Sequence, residues 1–169
     1  GFSEAISTYD VLPDTGATVA YAAPWNSHVA GATHQANIGF NFVYDGITQT
    51  QCYISPNGFI TFGTTQPLPN NYLPLSSPVT FSAGGAISAL GMDLSSTTGD
   101  IIYNTIGTAP NRTFIVQWTN SIRQNPPTSG DFDFQIRLNE TTNTIQLSYG
   151  ECTPDGTAPI ATQVGIRGV

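Results

Sequence analysis

Eleven carboxylates, two histidines (His28 and His34), two cysteines (Cys52 and Cys152) and four arginines (Arg112, Arg123, Arg137 and Arg167) are the groups with which this 169-residue chain could do chemistry; it holds no lysine. Hydrolysis by paired carboxylates needs two of them facing across a cleft, about 5–9 Å apart, and the acids here stand mostly beside turn residues. Asp131 and Asp133 share one face of the run DFDFQIRL with Gln135 and Arg137, and a solvated polar face is the expected role of such an alternation. A serine triad needs a histidine base. His28 and His34 lie in a weakly patterned stretch, HVAGATH, which lacks the helical HExxH spacing of a zinc site. Neither cysteine has a histidine beside it, and Gly84-Gly85 runs on without the lysine or helix of a phosphate loop. These residue types predict no catalytic centre.

Binding chemistry is better served. Hard cations take oxygen ligands from Asp, Asn and backbone carbonyls, and Asp93 lies seven residues before Asp100 in DLSSTTGD. The loop between them could place both carboxylates on one calcium ion, although Asp also favours turns for local hydrogen-bonding reasons. Sugars present apolar ring faces and arrays of hydroxyls, which suit an exposed aromatic beside amide groups. Trp25, outside any alternating pattern, and Asn70, Asn71 and Tyr72, in a proline-rich stretch, offer that combination. The alternative is that Trp25 and Tyr72 fold back over the ends of the domain. Cys52 and Cys152, if bridged, would close a loop of about 100 residues and add roughly 4–5 kcal/mol in a chain-entropy account; otherwise they pack as small apolar thiols.

The elements that must position these residues are strands. Charged residues make up 9% of the chain, with 17 Gly and 12 Pro, and the 23 Thr together with Val, Ile, Phe and Tyr are strand formers. Alternation predicts strands at 37–44, 51–54, 59–62, 87–93, 100–105, 112–119, 131–139, 144–149 and 162–167, with a short one possible at 17–22. The first three form a meander. Turn chemistry at Asp45-Gly46, Pro56-Asn57-Gly58, Thr98-Gly99, Ala109-Pro110-Asn111, Pro126-Pro127, Thr142-Asn143 and Pro154-Asp155-Gly156 separates them, while 64–86 reads as a long loop. The expected fold is all-β: a two-sheet antiparallel sandwich, jelly-roll-like, with little or no helix. Its expected core holds Phe40, Phe42, Ile54, Phe59, Phe62, Leu90, Ile102, Phe114, Val116, Trp118, Phe132, Phe134, Ile136, Leu138, Ile145, Leu147 and Val164.

One module over 1–169, cut from something longer and monomeric in isolation, is the expected organisation. A net charge of −7 and a pI near 4.3 oppose binding to nucleic acid, which depends on clustered Lys and Arg. No apolar run is long enough to span a membrane, and any export signal is expected upstream or already removed. The lysine-free, Thr-rich composition points to an extracellular or cell-surface location.

Four stretches together resemble a β-sandwich module of large secreted and surface proteins of Bacteroidota, those exported with a C-terminal sorting domain. They are Ile38 to Phe42 in NIGFNF, ISPNGFITFG (Ile54 to Gly63), TAPNRTFIVQWTN (Thr108 to Asn120) and FDFQIRLNETTNTIQLSYG (Phe132 to Gly150), with a proline-rich stretch, Pro67 to Pro78, and a strand ending in an acid, Ala89 to Asp93, in the matching order between them. Where such modules often read Trp-Asp-Asp, this chain has Met92-Asp93-Leu94. The resemblance implies the architecture and the location but no reaction. The expected function is therefore a non-catalytic binding or adhesion module for glycans or another surface protein. Other possibilities are a carbohydrate-binding module of a secreted hydrolase, a structural spacer in a surface fibre, or a glycosidase with two buried carboxylates.

Overall fold

A computed structural model of the chain describes residues 1–5, 9–26, 34–76, 85–124, 130–153 and 161–168. His28, the 126–127 and 154–156 turns and the end of the long loop lie outside them. Twelve strands occur among the described residues: β1 (Thr18–Tyr21), β2 (Trp25–Asn26), β3 (His34–Tyr44), β4 (Ile47–Ser55), β5 (Phe59–Thr61), β6 (Ala86–Gly91), β7 (Leu94–Ser96), β8 (Ile101–Ile106), β9 (Thr113–Arg123), β10 (Asp131–Asn139), β11 (Ile145–Thr153) and β12 (Gln163–Arg167). They form two antiparallel sheets. One runs β1-β8-β9-β10-β11, with β7 pairing β9 and β2 pairing β7; the other runs β12-β6-β5-β4-β3. The expected all-β sandwich and the β3-β4-β5 meander are both present.

Strict alternation builds the interface between the sheets. Ala36, Ile38, Phe40, Phe42 and Tyr44 point inward from β3 and meet Phe114, Val116 and Trp118 of β9 and Phe134, Ile136 and Leu138 of β10 in one cluster. Trp118 is wholly buried and stacks on Phe134, with centroids 5.0 Å apart. Its indole N–H donates to the Ser55 carbonyl of the facing sheet at 3.2 Å. Strand β9 continues four residues past its expected end at Thr119. Asn120 takes a positive φ of 47° and its N–H donates to Asp133 at 2.8 Å, so a bulge carries the strand on to Arg123.

Two expectations about the core need correction. Val164 is 54% exposed because β12 is an edge strand, where alternation no longer guarantees cover. Ile102 is buried on the outer face of its sheet, in a separate small cluster with Leu12 and Ile115.

The turn between β4 and β5 is buried completely. Asn57 fills the space between the sheet ends: its Nδ2 donates to the carbonyls of Pro69 and Asn71 at 2.8 and 3.0 Å, and its Oδ1 accepts from the Leu94 N–H at 3.2 Å. The Gly58 carbonyl accepts from both Ala89 and Leu90 at 3.1 Å. Gly58 has φ +78°, and a Cβ there would stand 2.2 Å from the Leu90 carbonyl oxygen. Gly46 has the same φ but opens to space with no atom within 4 Å.

Gly58→Ala is therefore expected to cost more than about 3 kcal/mol, from backbone strain plus the collision, and Gly46→Ala only about 1 kcal/mol. Urea unfolding of the two variants measures the difference, and equal costs would mean that the turn is not held against β6.

Candidate functional site

Trp25 is not a surface platform. It is only 6% exposed, packs into the main core, and its indole N–H donates to the Gly99 carbonyl at 2.8 Å. It escaped the alternation pattern because, among the described residues, its strand is two residues long and pairs with β7 alone. Tyr72 is 40% exposed and Asn70 is exposed. The Asn71 N–H closes a turn onto Leu68 at 3.0 Å while its carbonyl receives Asn57. The proline-rich stretch is thus fastened to the sheet: Leu75 donates to Gln163 of β12 at 2.7 Å, and Pro67 and Pro74 are buried. Of the expected ligand group, Tyr72 and Asn70 reach solvent, and Trp25 does not join them.

The expected calcium loop holds the short strand β7, closed by the Ser96 hydroxyl, which accepts from Gly99 N–H at 2.9 Å and donates to the Asn120 carbonyl at 2.7 Å. Asp100 accepts the Ala23 N–H at 2.7 Å, which ties β2 to the sheet. Among the described residues no group of three or more His, Cys, Asp or Glu is gathered as a metal site.

The Cys52–Cys152 bridge is not formed; both thiols are free. Cys52 is buried on β4, where loss of solvation pushes its thiol pKa well up, so it is an inert packing group. Cys152 is exposed on β11, in the other sheet. Partial loss of solvation at its sulfur, then the charge of Asp133, raises its pKa too.

A polar cleft of about 170 Å³ opens where β9 begins and β10 ends, lined by Asn111, Arg112, Thr113, Asn139, Glu140, Thr141 and Thr142. Two Asn-x-Thr triplets face each other there in antiparallel register. The Thr113 hydroxyl donates to the Asn139 amide oxygen at 3.0 Å, and the Thr141 hydroxyl reaches the Asn111 amide oxygen at 3.3 Å. Between them, Arg112 forks onto Glu140, Nε to Oε2 at 2.8 Å and Nη2 to Oε1 at 2.5 Å. The Glu140 N–H also donates to the Arg112 carbonyl at 2.9 Å, and the Arg112 backbone N–H donates to the Glu140 carboxylate Oε2 at 3.1 Å.

The same arginine binds the opposite sheet: its Nη1 donates to the Gly39 carbonyl at 2.7 Å, and its guanidinium lies 5.5 Å from the centre of the Phe40 ring. Asn143 adds a second link by accepting the Val43 N–H at 2.9 Å. Arg112 holds the Glu140 carboxyl below its ordinary pKa of 4.5, mainly through the fork. This site was not anticipated. The available signal was the pair of triplets Asn111-Arg112-Thr113 and Asn139-Glu140-Thr141, with opposite charges at their centres on strands already expected.

A family model described as NIDO related matches residues 1–169, the whole chain. No curated protein and no solved structure matches it.

Two outcomes follow from this geometry. Trp25→Ala should cost about 3–5 kcal/mol of unfolding free energy, as for other buried large-to-small changes, and Tyr72→Ala about 0.5 kcal/mol or less; equal effects would put Trp25 back on the surface. A carboxyl whose folded pKa is depressed stabilises the fold above its unfolded pKa, and this is lost as pH falls through the folded value. The Arg112 fork should therefore persist at neutral pH and open only as the pH falls below 4.5. Exchange protection of the Arg112 Nε–H reads this by NMR: Glu140→Ala, which leaves no acceptor, should abolish the protection at every pH, and unchanged protection in that variant counts against the fork.

Proposed function

The chain belongs to the NIDO-related family, and on that footing we propose that it is a non-catalytic extracellular recognition module that binds a glycan in the cleft of the paired Asn-x-Thr triplets. NIDO-related domains are typically extracellular, which supports the location. The observation that carries the binding proposal is the cleft itself. Its walls are hydroxyls and amides, groups that both donate and accept, and they are held in place by one ion pair fastened to both sheets. Polyhydroxy ligands are recognised by such neutral polar arrays, and a wall fixed in advance lowers the ordering cost of binding. Asn111, Thr141 and Thr142 are exposed and offer the first contacts. Tyr72 and Asn70 belong to a different surface and serve, in this proposal, as a comparison.

The narrower kinship with sorted surface proteins of Bacteroidota, and an adhesive role, belong to the same proposal. Calcium enters it as a condition to be varied, since Asp100 already has a backbone partner. A spacer role has one observation in its favour: the triplets satisfy each other's polar groups without a ligand.

A glycan array probed with the protein, in calcium and in chelator, tests these alternatives. Asn111→Ala and Thr142→Ala should each weaken binding about fivefold to tenfold, the worth of one hydrogen bond, with the melting temperature nearly unchanged. Binding that survives both changes but is lost in Tyr72→Ala would move the site to the proline-rich surface. No bound glycan, with capture of a surface protein instead, would replace the ligand class, and no binding of either kind would favour the spacer.

A further inference from the structure

Residues 9–12 cross the outer face of the seven-stranded sheet, the face that Gln135 and Arg137 were expected to offer to solvent. Both Gln117 and Gln135 are buried there. Among the described residues, the bonds that hold this segment join its backbone to side chains of the sheet. Gln117 Oε1 accepts the Leu12 N–H at 2.7 Å. The Asp10 carbonyl accepts from Gln135 Nε2 and from Arg137 Nη2, both at 2.8 Å. The receiving side chains are themselves aligned, with Gln135 Nε2 donating to Gln117 Oε1 at 2.6 Å and Arg137 Nε donating to Gln135 Oε1 at 2.6 Å.

Two side chains of the segment point in. Leu12 sits in a cluster with Ile102 and Ile115. The Tyr9 ring lies over Gly150, where a methyl group would come within 2.9 Å of it, and burial next to Asp133 raises its phenol pKa. Val11, between them, faces solvent and is 63% exposed.

The face is thus built to hold an extended peptide by its backbone, with one aromatic and one aliphatic side chain three residues apart as anchors. Nothing in these contacts requires the peptide to be covalently joined to the sheet it covers. The tether to β1 is five residues, 13–17, containing Pro13 and a turn in which the Ala17 N–H donates to the Asp14 carbonyl at 3.1 Å. Short hinges of this kind invite exchange between copies.

We propose that the outer face of β8 to β11 is a peptide-binding groove, and that residues 9–12 of a second copy of this chain replace the resident segment, so that copies join by exchanging N-terminal straps. The second copy is the partner because its segment is the one sequence that the contacts already fit. Exchange keeps every hydrogen bond and both anchors, and it costs only the freedom lost on association and the work of straightening the hinge.

Cross-linking between single-site variants tests this. Asp10 and Gln146 are both exposed; Asp10 bonds Arg137, the cross-strand partner of Gln146. Cys152→Ser removes the exposed native thiol. In that background, Asp10→Cys chains are mixed with Gln146→Cys chains and treated with a short bis-maleimide. A covalent heterodimer should form, its yield rising in proportion to concentration while it is the minor species, and Leu12→Asp in the Asp10→Cys chain should remove it. The double variant Asp10→Cys/Gln146→Cys should cross-link within one chain at high dilution, which shows that the variants fold with the strap seated. Failure of that internal link overturns the groove. An internal link with no heterodimer at any concentration overturns the exchange, as does a heterodimer indifferent to Leu12→Asp, since that is collision alone.

Discussion

Everything in this sandwich is arranged around one buried amide. Asn57 sits where β4 turns into β5, and its side chain has three hydrogen bonds to backbone groups of two different segments, the proline-rich stretch and β7. A buried amide left without partners costs about 1–3 kcal/mol per group, so the turn, the loop and β7 are ordered together or not at all. Gly58 makes this possible because only a residue without Cβ lets the turn lie against Leu90. The neighbouring Ser55 carbonyl receives Trp118 from the opposite sheet. One short turn therefore sets the register of the five-stranded sheet and its height above the seven-stranded one.

The central strands are covered on both faces. Phe59, Ile60 and Thr61 of β5 are all buried, Ile60 by the opposite sheet, with the proline-rich stretch fastened along the other face through Gln163 and Asn57. On β9 the inner Phe114, Val116 and Trp118 alternate with outer Ile115 and Gln117, which the strap at 9–12 protects. Loops that do the work of a third layer explain how a chain with 9% charged residues stays a sandwich of two sheets. Their backbones need partners, and Gln, Asn and Ser side chains supply them without the desolvation cost of ions.

The legible part of this fold was the part governed by period two. Strand β3, with a clean in-out alternation, and the DFDFQIRL strand, with Phe134, Ile136 and Leu138 inward, follow directly from their residues. Strands β2 and β7 did not, because elements of two and three residues have no period to read. Trp25 was misplaced for that reason. Gln135 and Arg137 read as a wet face because alternation says which side a residue takes but not what later lies on it. The cysteines have the same explanation: Cys52 faces the core and Cys152 solvent, on strands of different sheets, and a pair of cysteine positions carries no information about either. The cleft was unreadable for a different reason, since its triplets acquire meaning only when the β9 and β10 ends stand in register.

That register gives the Arg112–Glu140 pair its role. An exposed ion pair ordinarily contributes little, because two long side chains must be ordered for a weak, screened attraction. Here the cost of ordering is shared: the Arg112 guanidinium is already directed by the Gly39 carbonyl and the Phe40 ring, and Glu140 is fixed by its own backbone bond to Arg112. A bidentate fork between groups held in this way braces the ends of β9 and β10, and the Arg112 bond to Gly39 carries that brace across to the other sheet. The brace positions Asn111 and Thr141 from one side and Thr113 and Asn139 from the other. A lysine would supply the charge but not the planar fork or the simultaneous third bond, so in a chain that has no lysine at all the arginine at this position is the one cation whose geometry the cleft uses. The wall of hydroxyls and amides is consequently rigid before any ligand arrives.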